Sequence, residues 1–203
     1  RVIVEYANRL VERGYQVTLV TPGSTVDPDI ETELLPAVRV RESPVKRRSQ
    51  MSAWQNLRLA WSLAATVPQS ELVFSTHTPT TVAGWLTARV LKKGRLAWLY
   101  QDYREQFEGR PFESWLLQHA LHWHEYALTV STYSKNELEG YAKGEVLVVG
   151  EGLSHADLFR PVPAAARLTE KGSKTILYLG DTRPRKGLYD LLEAVSLVYQ
   201  EVP

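Results

Sequence analysis

Residues 72–100 read LVFSTHTPTTVAGWLTARVLKKGRLAWLY, and this stretch decides the fold. It opens with an apolar run, Leu72 to Ser75. A segment with helical spacing follows, Thr80 to Leu91, and then a second apolar run, Leu96 to Tyr100. Neither run alternates apolar with polar residues. Strands of that kind belong to a parallel sheet covered on both faces, and the helix between them is the crossover that parallel strands need. The pattern continues outward. C-terminally it predicts helix Glu113 to Glu125, strand Ala127 to Val130, helix Lys135 to Tyr141 and strand Val146 to Val149. N-terminally it predicts a helix over residues 1–13 closed by Gly14, strand Val17 to Thr21 ending at Pro22-Gly23, a loop over 24–37, a weak strand Val38 to Arg41, and a helix Ser52 to Thr66 ending before Pro68.

The fold class is therefore α/β, a Rossmann-like doubly wound parallel sheet. Its one oddity is that it opens on a helix, where such a sheet opens on a strand and a phosphate-facing turn. A preceding strand and glycine-rich loop are expected to be missing. The expected domains are 1–160, a linker at 161–174, and 175–203 as the first βα unit of a second Rossmann-like domain.

Composition excludes several classes. The 203 residues are 44% hydrophobic and 23% charged, which rules out a disordered chain. There is no cysteine, so disulfides and thiolate metal sites are excluded. No apolar run is long enough for a transmembrane helix, and the first residues do not read as a signal peptide, so a cytoplasmic location is expected. Net charge is +1, yet residues 39–58 hold Arg39, Arg41, Lys46, Arg47, Arg48 and Arg58 against Glu42 alone. One face should be positive. The sequence has no Walker loop and no G-x-G-x-x-G after a strand, so nucleotide hydrolysis and dinucleotide redox chemistry have no support.

The stretch Thr175-Ile176-Leu177-Tyr178-Leu179-Gly180-Asp181-Thr182-Arg183-Pro184-Arg185-Lys186-Gly187 reads as an apolar strand entering a basic turn, with a helix from Leu188 to Val202. Free backbone N–H groups, the helix dipole and the cations Arg183, Arg185 and Lys186 would converge there on an anion. The alternative is a solvated turn.

Three segments taken in order resemble the retaining glycosyltransferases of family 4, which have two Rossmann-like domains in the GT-B architecture. The first is Arg1 to Gly23, with Arg1-Val2-Ile3-Val4-Glu5-Tyr6-Ala7, Leu10, and Gly14-Tyr15-Gln16-Val17-Thr18-Leu19-Val20-Thr21. The second is Thr129-Val130-Ser131-Thr132-Tyr133-Ser134-Lys135, with Val148-Val149-Gly150-Glu151-Gly152-Leu153 and Leu158-Phe159-Arg160-Pro161. The third is Ile176 to Val195, with Gly180, Pro184, Lys186-Gly187 and Leu191-Leu192-Glu193-Ala194-Val195.

The resemblance implies sugar transfer with retention from a nucleotide-diphosphate sugar to a saccharide or lipid-linked acceptor, in cell-surface glycan synthesis. It implies no chemical cofactor and no metal. Lys186 matches the lysine that contacts the donor diphosphate, with Gly180, Arg183 and Arg185 around it. The acceptor side would use Gln101, Asp102 and Tyr103, together with His77, which ends a strand at the C-terminal edge where α/β ligands bind, and the cleft Glu151 and Gly152. Two positions depart from the family pattern. Asp181 stands where an arginine is usual, and Gln101 where a histidine is usual. The family's pair of glutamates would fall after Pro203, so the isolated chain is expected to be inactive. Alternatives are a non-catalytic GT-B-like binding or scaffold protein, and a GT-B sugar-nucleotide epimerase.

Two further features have competing readings. Lys46-Arg47-Arg48 followed by Trp54, Leu57 and Trp61 on one helical face fits peripheral contact at the inner face of a membrane. The other reading, a helix packing its tryptophans on the sheet, is the usual fate of an apolar stripe at helical spacing. His119, His122 and His124 are clustered in sequence, but only the first two share a helical face, which is poor geometry for a metal.

Overall fold

The computed structural model describes residues 2–23, 28–48, 51–101, 109, 111–150, 176–180, 182 and 184–201. The chain divides into two compact units, Arg1–Ser154 and His155–Pro203. The expected linker at 161–174 lies outside the described residues.

In the first unit the order is α1 (Val2–Glu12), β1 (Thr18–Pro22), α2 (Pro28–Thr32), β2 (Arg39–Ser43), α3 (Ala53–Thr66), β3 (Leu72–Ser75), α4 (Thr81–Trp85), β4 (Arg95–Tyr100), α5 (Pro111–Trp123), β5 (Tyr126–Thr129), α6 (Thr132–Glu139) and β6 (Glu145–Val148). The α/β class with parallel strands and crossover helices is as the sequence predicts. Three details differ. Residues 24–37 are not all loop, because Pro28 starts the short helix α2, where a proline in the first turn costs no hydrogen bond.

The expected single sheet is two: β1 pairs with β2, and a separate sheet runs β3-β4-β5-β6, every pair parallel. Among the described residues β1 and β3 do not pair with each other, so each keeps one open edge.

The helix expected over 80–91 is composite. Residues Thr78–Thr80 form a 3-10 turn, α4 follows, and Leu86–Val90 widen into a π-turn. There the Leu91 N–H reaches back five residues to the Leu86 carbonyl at 2.9 Å. Lys92 then takes a left-handed φ of 54° to leave the helix.

α3 shows how the local sequence sets an element. Ser52 and Gln55 make a reciprocal capping box: Ser52 Oγ accepts from the Gln55 N–H at 3.3 Å, and Gln55 Oε1 accepts from the Ser52 N–H at 2.8 Å. At the far end Lys93 Nζ donates to the carbonyls of Ala64, Ala65 and Val67 at 3.1, 2.7 and 2.6 Å. A cation on the last carbonyls also opposes the negative end of the helix dipole.

The main core lies between β4, β5 and α5, where Trp98, Tyr100, Leu117, Ala120, Leu121, Ala127, Leu138 and Val146 pack together. A smaller cluster of Ala60, Ala64, Ala83 and Leu86 joins α3 to α4. Its small side chains let the two helices approach closely. Gly84 serves the same purpose toward the sheet, since a Cβ there would collide with Ser75 Oγ.

In the second unit α7 (Leu188–Glu201) follows a 3-10 turn at Pro184–Lys186. The strand expected at 175–179 is not found: residues 176–179 carry no strand structure. A strand is completed by a neighbour's hydrogen bonds, and among the described residues none pairs with this run.

Candidate functional site

Because β3 to β6 are all parallel, the segments leaving their C-terminal ends gather at one sheet edge. Ligands of open α/β sheets bind along such an edge. After β3 the chain passes Thr76 and His77 into the Thr78–Thr80 turn. This turn is held by hydroxyls. Thr80 Oγ1 accepts from the N–H groups of Thr76 and His77, both at 3.3 Å, and donates to the His77 carbonyl at 2.7 Å. Thr81 Oγ1 donates to the Thr78 carbonyl at 2.6 Å, and both threonines are fully buried. His77 is therefore an exposed side chain on a fixed backbone.

Gln101 follows the last residue of β4 and is half-buried. The structure thus brings His77 and Gln101 to adjacent strand ends, since Ser75 of β3 is in register with Trp98 of β4.

Two neighbours complete the edge. Ser131, after β5, caps α6 by accepting from the Ser134 N–H at 3.1 Å. Gly150, after β6, has φ 67° and accepts a 2.7 Å hydrogen bond from Tyr6 Oη of α1. Neither Ser131 nor Tyr6 was singled out as a site residue by the sequence. The serine at a strand-to-helix junction was a readable cap signal, but the link from Tyr6 to Gly150 spans 144 residues and left no local trace.

Beneath this edge lies a buried histidine. His124 Nδ1 donates to the Ala120 carbonyl at 2.6 Å, which leaves Nε2 as the acceptor facing the Ser75 hydroxyl at 3.4 Å. Trp98 lies against its ring at 5.2 Å between centroids. Burial lowers the His124 pKa to about 4, with the nearby Arg89 charge acting in the same direction. The group is neutral at pH 7 and ties α5 to the end of β3.

The other two histidines of the cluster are exposed. Each sets Nδ1 on the carbonyl four residues back, His119 on Trp115 at 2.8 Å and His122 on Gln118 at 2.9 Å. Among the described residues no three His, Cys, Asp or Glu side chains are grouped as a metal would require. A recess of about 20 Å³ between α5 and α6, lined by Tyr100, Leu117, Glu137 and Tyr141 among others, has room for a single water molecule and not for a sugar.

The second unit carries the basic turn. Gly187 adopts φ 72°, the left-handed region, and its carbonyl accepts the first turn's hydrogen bond from the Leu191 N–H at 2.9 Å. Tyr178 Oη donates to the Lys186 carbonyl at 3.3 Å, and Tyr178 also lies against Gly180. Lys186 is exposed. Tyr178 thus touches both Gly180 and the Pro184–Lys186 turn that leads toward α7. Asp102, Tyr103, Glu151, Gly152, Asp181, Arg183 and the side chain of Arg185 lie outside the described residues.

A Rossmann-like parallel sheet hosts many unrelated functions, and it is a family match that marks this one as a GT-B glycosyltransferase-like domain. The family model described as Glycosyltransferase Family 4 matches residues 1–156, and the chain belongs to that family. No curated protein matches it. At this level the chain is of the transferase class, acting on a sugar donor and an acceptor.

Proposed function

We propose that the protein transfers a sugar, with retention of anomeric configuration, from a nucleotide-diphosphate sugar to a saccharide or lipid-linked acceptor in cell-surface glycan synthesis, at a cytoplasmic site. The observation that carries the reading is the family match over the unit whose strand-end edge presents His77 and Gln101. The donor diphosphate is assigned to the turn of the second unit, on Lys186 with Gly180, Arg183 and Arg185. The acceptor is assigned to His77, Gln101, Asp102 and Tyr103, with Glu151 and Gly152 where the chain crosses to the second unit.

In the proposed reaction the bond between the sugar's anomeric carbon and the diphosphate oxygen breaks with its electron pair going to that oxygen, the acceptor hydroxyl oxygen bonds the carbon on the same face, and the hydroxyl proton passes to the departing diphosphate. Negative charge grows on the departing diphosphate, which is where fixed cations and backbone N–H groups lower the barrier most. The donor is already activated, so the proposal includes no metal and no chemical cofactor. Gln101 can hydrogen-bond a hydroxyl through its amide but cannot take a proton.

The test is a thermal-shift panel on the full-length protein with UDP-, GDP-, dTDP- and ADP-sugars, repeated with Lys186→Ala. A rise in Tm with one nucleotide class, lost in the variant, supports the reading and names the donor. No rise with any donor in a folded protein favours the scaffold alternative, to which the off-pattern Asp181 and Gln101 already point.

A further inference from the structure

The tryptophans of α3 do not pack on the sheet. Burial in this helix begins only at Leu59, and Ala53 to Arg58 are exposed throughout. Trp54 is 79% exposed, Leu57 47% and Trp61 50%. Together with Arg58 they occupy positions i, i+3, i+4 and i+7, one continuous stripe of the helix. The opposite stripe (Leu59, Ala60, Leu63 and Ala64) faces the protein. The Ser62 hydroxyl lies 2.9 Å from that of Ser43, the last residue of β2, and anchors the helix at the strand end. The turns before it stand clear of the core.

Charge surrounds the stripe on one side of the ledger only. Lys46, Arg47 and Arg48 are exposed, and Arg58 lies within the stripe itself. No Asp or Glu occurs between Glu42 and Glu71. Arg48 is five residues from Ala53, so it lies within about 18 Å of the start of α3.

We propose that this face docks the protein on an anionic lipid surface. Leu57 and the two indole rings would enter the boundary between headgroups and acyl chains, and the four cations would meet the lipid phosphates. Tryptophan is the side chain best suited to that boundary, being apolar in body with one polar edge. Cations near an anionic leaflet each strengthen binding about fivefold. The charge is wholly of one sign, which suits a dense sheet of anionic headgroups. The inference does not rest on the proposed donor chemistry, because docking is read without any sugar nucleotide.

The test is flotation of the chain with vesicles of phosphatidylcholine alone and of phosphatidylcholine mixed with phosphatidylglycerol. The expected result is binding to the mixed vesicles and not to the neutral ones. It weakens from 0.1 to 1 M NaCl, as the screening length falls from about 10 to about 3 Å. Arg47→Gln/Arg48→Gln lowers partitioning about 25-fold, and Trp54→Gln/Trp61→Gln at least roughly tenfold. Circular dichroism and Tm stay unchanged in both variants, because all four side chains are exposed. Equal partitioning on both vesicle types overturns the proposal, as does anionic binding that neither variant weakens. So does self-association in sedimentation velocity that the tryptophan variant abolishes while vesicles recruit nothing, which would assign the face to a second copy of the chain.

Discussion

Two apolar runs, Leu96-Ala97-Trp98-Leu99-Tyr100 and Ile176-Leu177-Tyr178-Leu179, read almost identically as sequence. In the structure they have opposite fates. The first is the heart of β4, paired on both sides by β3 and β5, with Trp98 wholly inaccessible to solvent. The second forms no strand, and Leu179 is 92% exposed. Local preference is the same in both places. Among the described residues, what differs is the presence of neighbouring strands to complete the hydrogen bonds and of α5 to cover the face. Strand formation is a tertiary event, and β-propensity measures fit to a half-buried surface more than a backbone preference.

The comparison breaks most easily at Trp98. Trp98→Ala should cost about 3–5 kcal/mol of unfolding free energy, whereas Leu179→Ala should stay within about 0.5 kcal/mol. Urea denaturation of both variants measures this. Equal effects would mean that the two runs are equally packed.

A second test uses the histidine under β3. In the folded chain His124 has its pKa lowered from 6.5 to about 4, so between those values the unfolded chain binds a proton that the folded chain refuses. Stability is then full above pH 6.5 and falls as the pH drops toward 4, by up to about 3 kcal/mol. His124→Gln should flatten that part of the pH profile of Tm. A slope that survives the substitution would assign it to other groups.

A smaller effect is expected at the helix ends. α3 begins on the Ser52 capping box, and Ser52→Ala should cost about 1 kcal/mol in thermal unfolding. Lys93→Met should have an effect of the same order, since it uncovers three carbonyls at the far end of the same helix. If neither change is felt, α3 is held by its buried stripe alone.

Much of the first unit was legible because its strands are continuous apolar runs and its helices have period 3.6. Leu72–Ser75 is the same in sequence and structure, and Leu96–Tyr100 gains only Arg95. The parts that were not legible depend on distant partners. The π-turn at Leu86–Val90 has an ordinary helical sequence. Lys93 caps a helix that ends 27 residues earlier, a contact that no local pattern announces. The division into two sheets depends on which strands pair, and no run of residues encodes that by itself. The α3 stripe was ambiguous for a related reason, since helical spacing shows that a face is apolar but not that anything covers it. His77 and Gln101 follow the ends of β3 and β4, a position readable in the sequence because neighbouring parallel strands end on the same side of the sheet.

The proposed function assigns the donor to the turn at Lys186 and the acceptor to His77. It is tested most directly by measuring donor Kd and acceptor KM for Lys186→Ala and His77→Ala in the full-length protein. Lys186→Ala should weaken donor binding at least roughly tenfold and leave acceptor KM unchanged, while His77→Ala should do the reverse. Donor binding that survives Lys186→Ala, or is lost with His77→Ala, would contradict it.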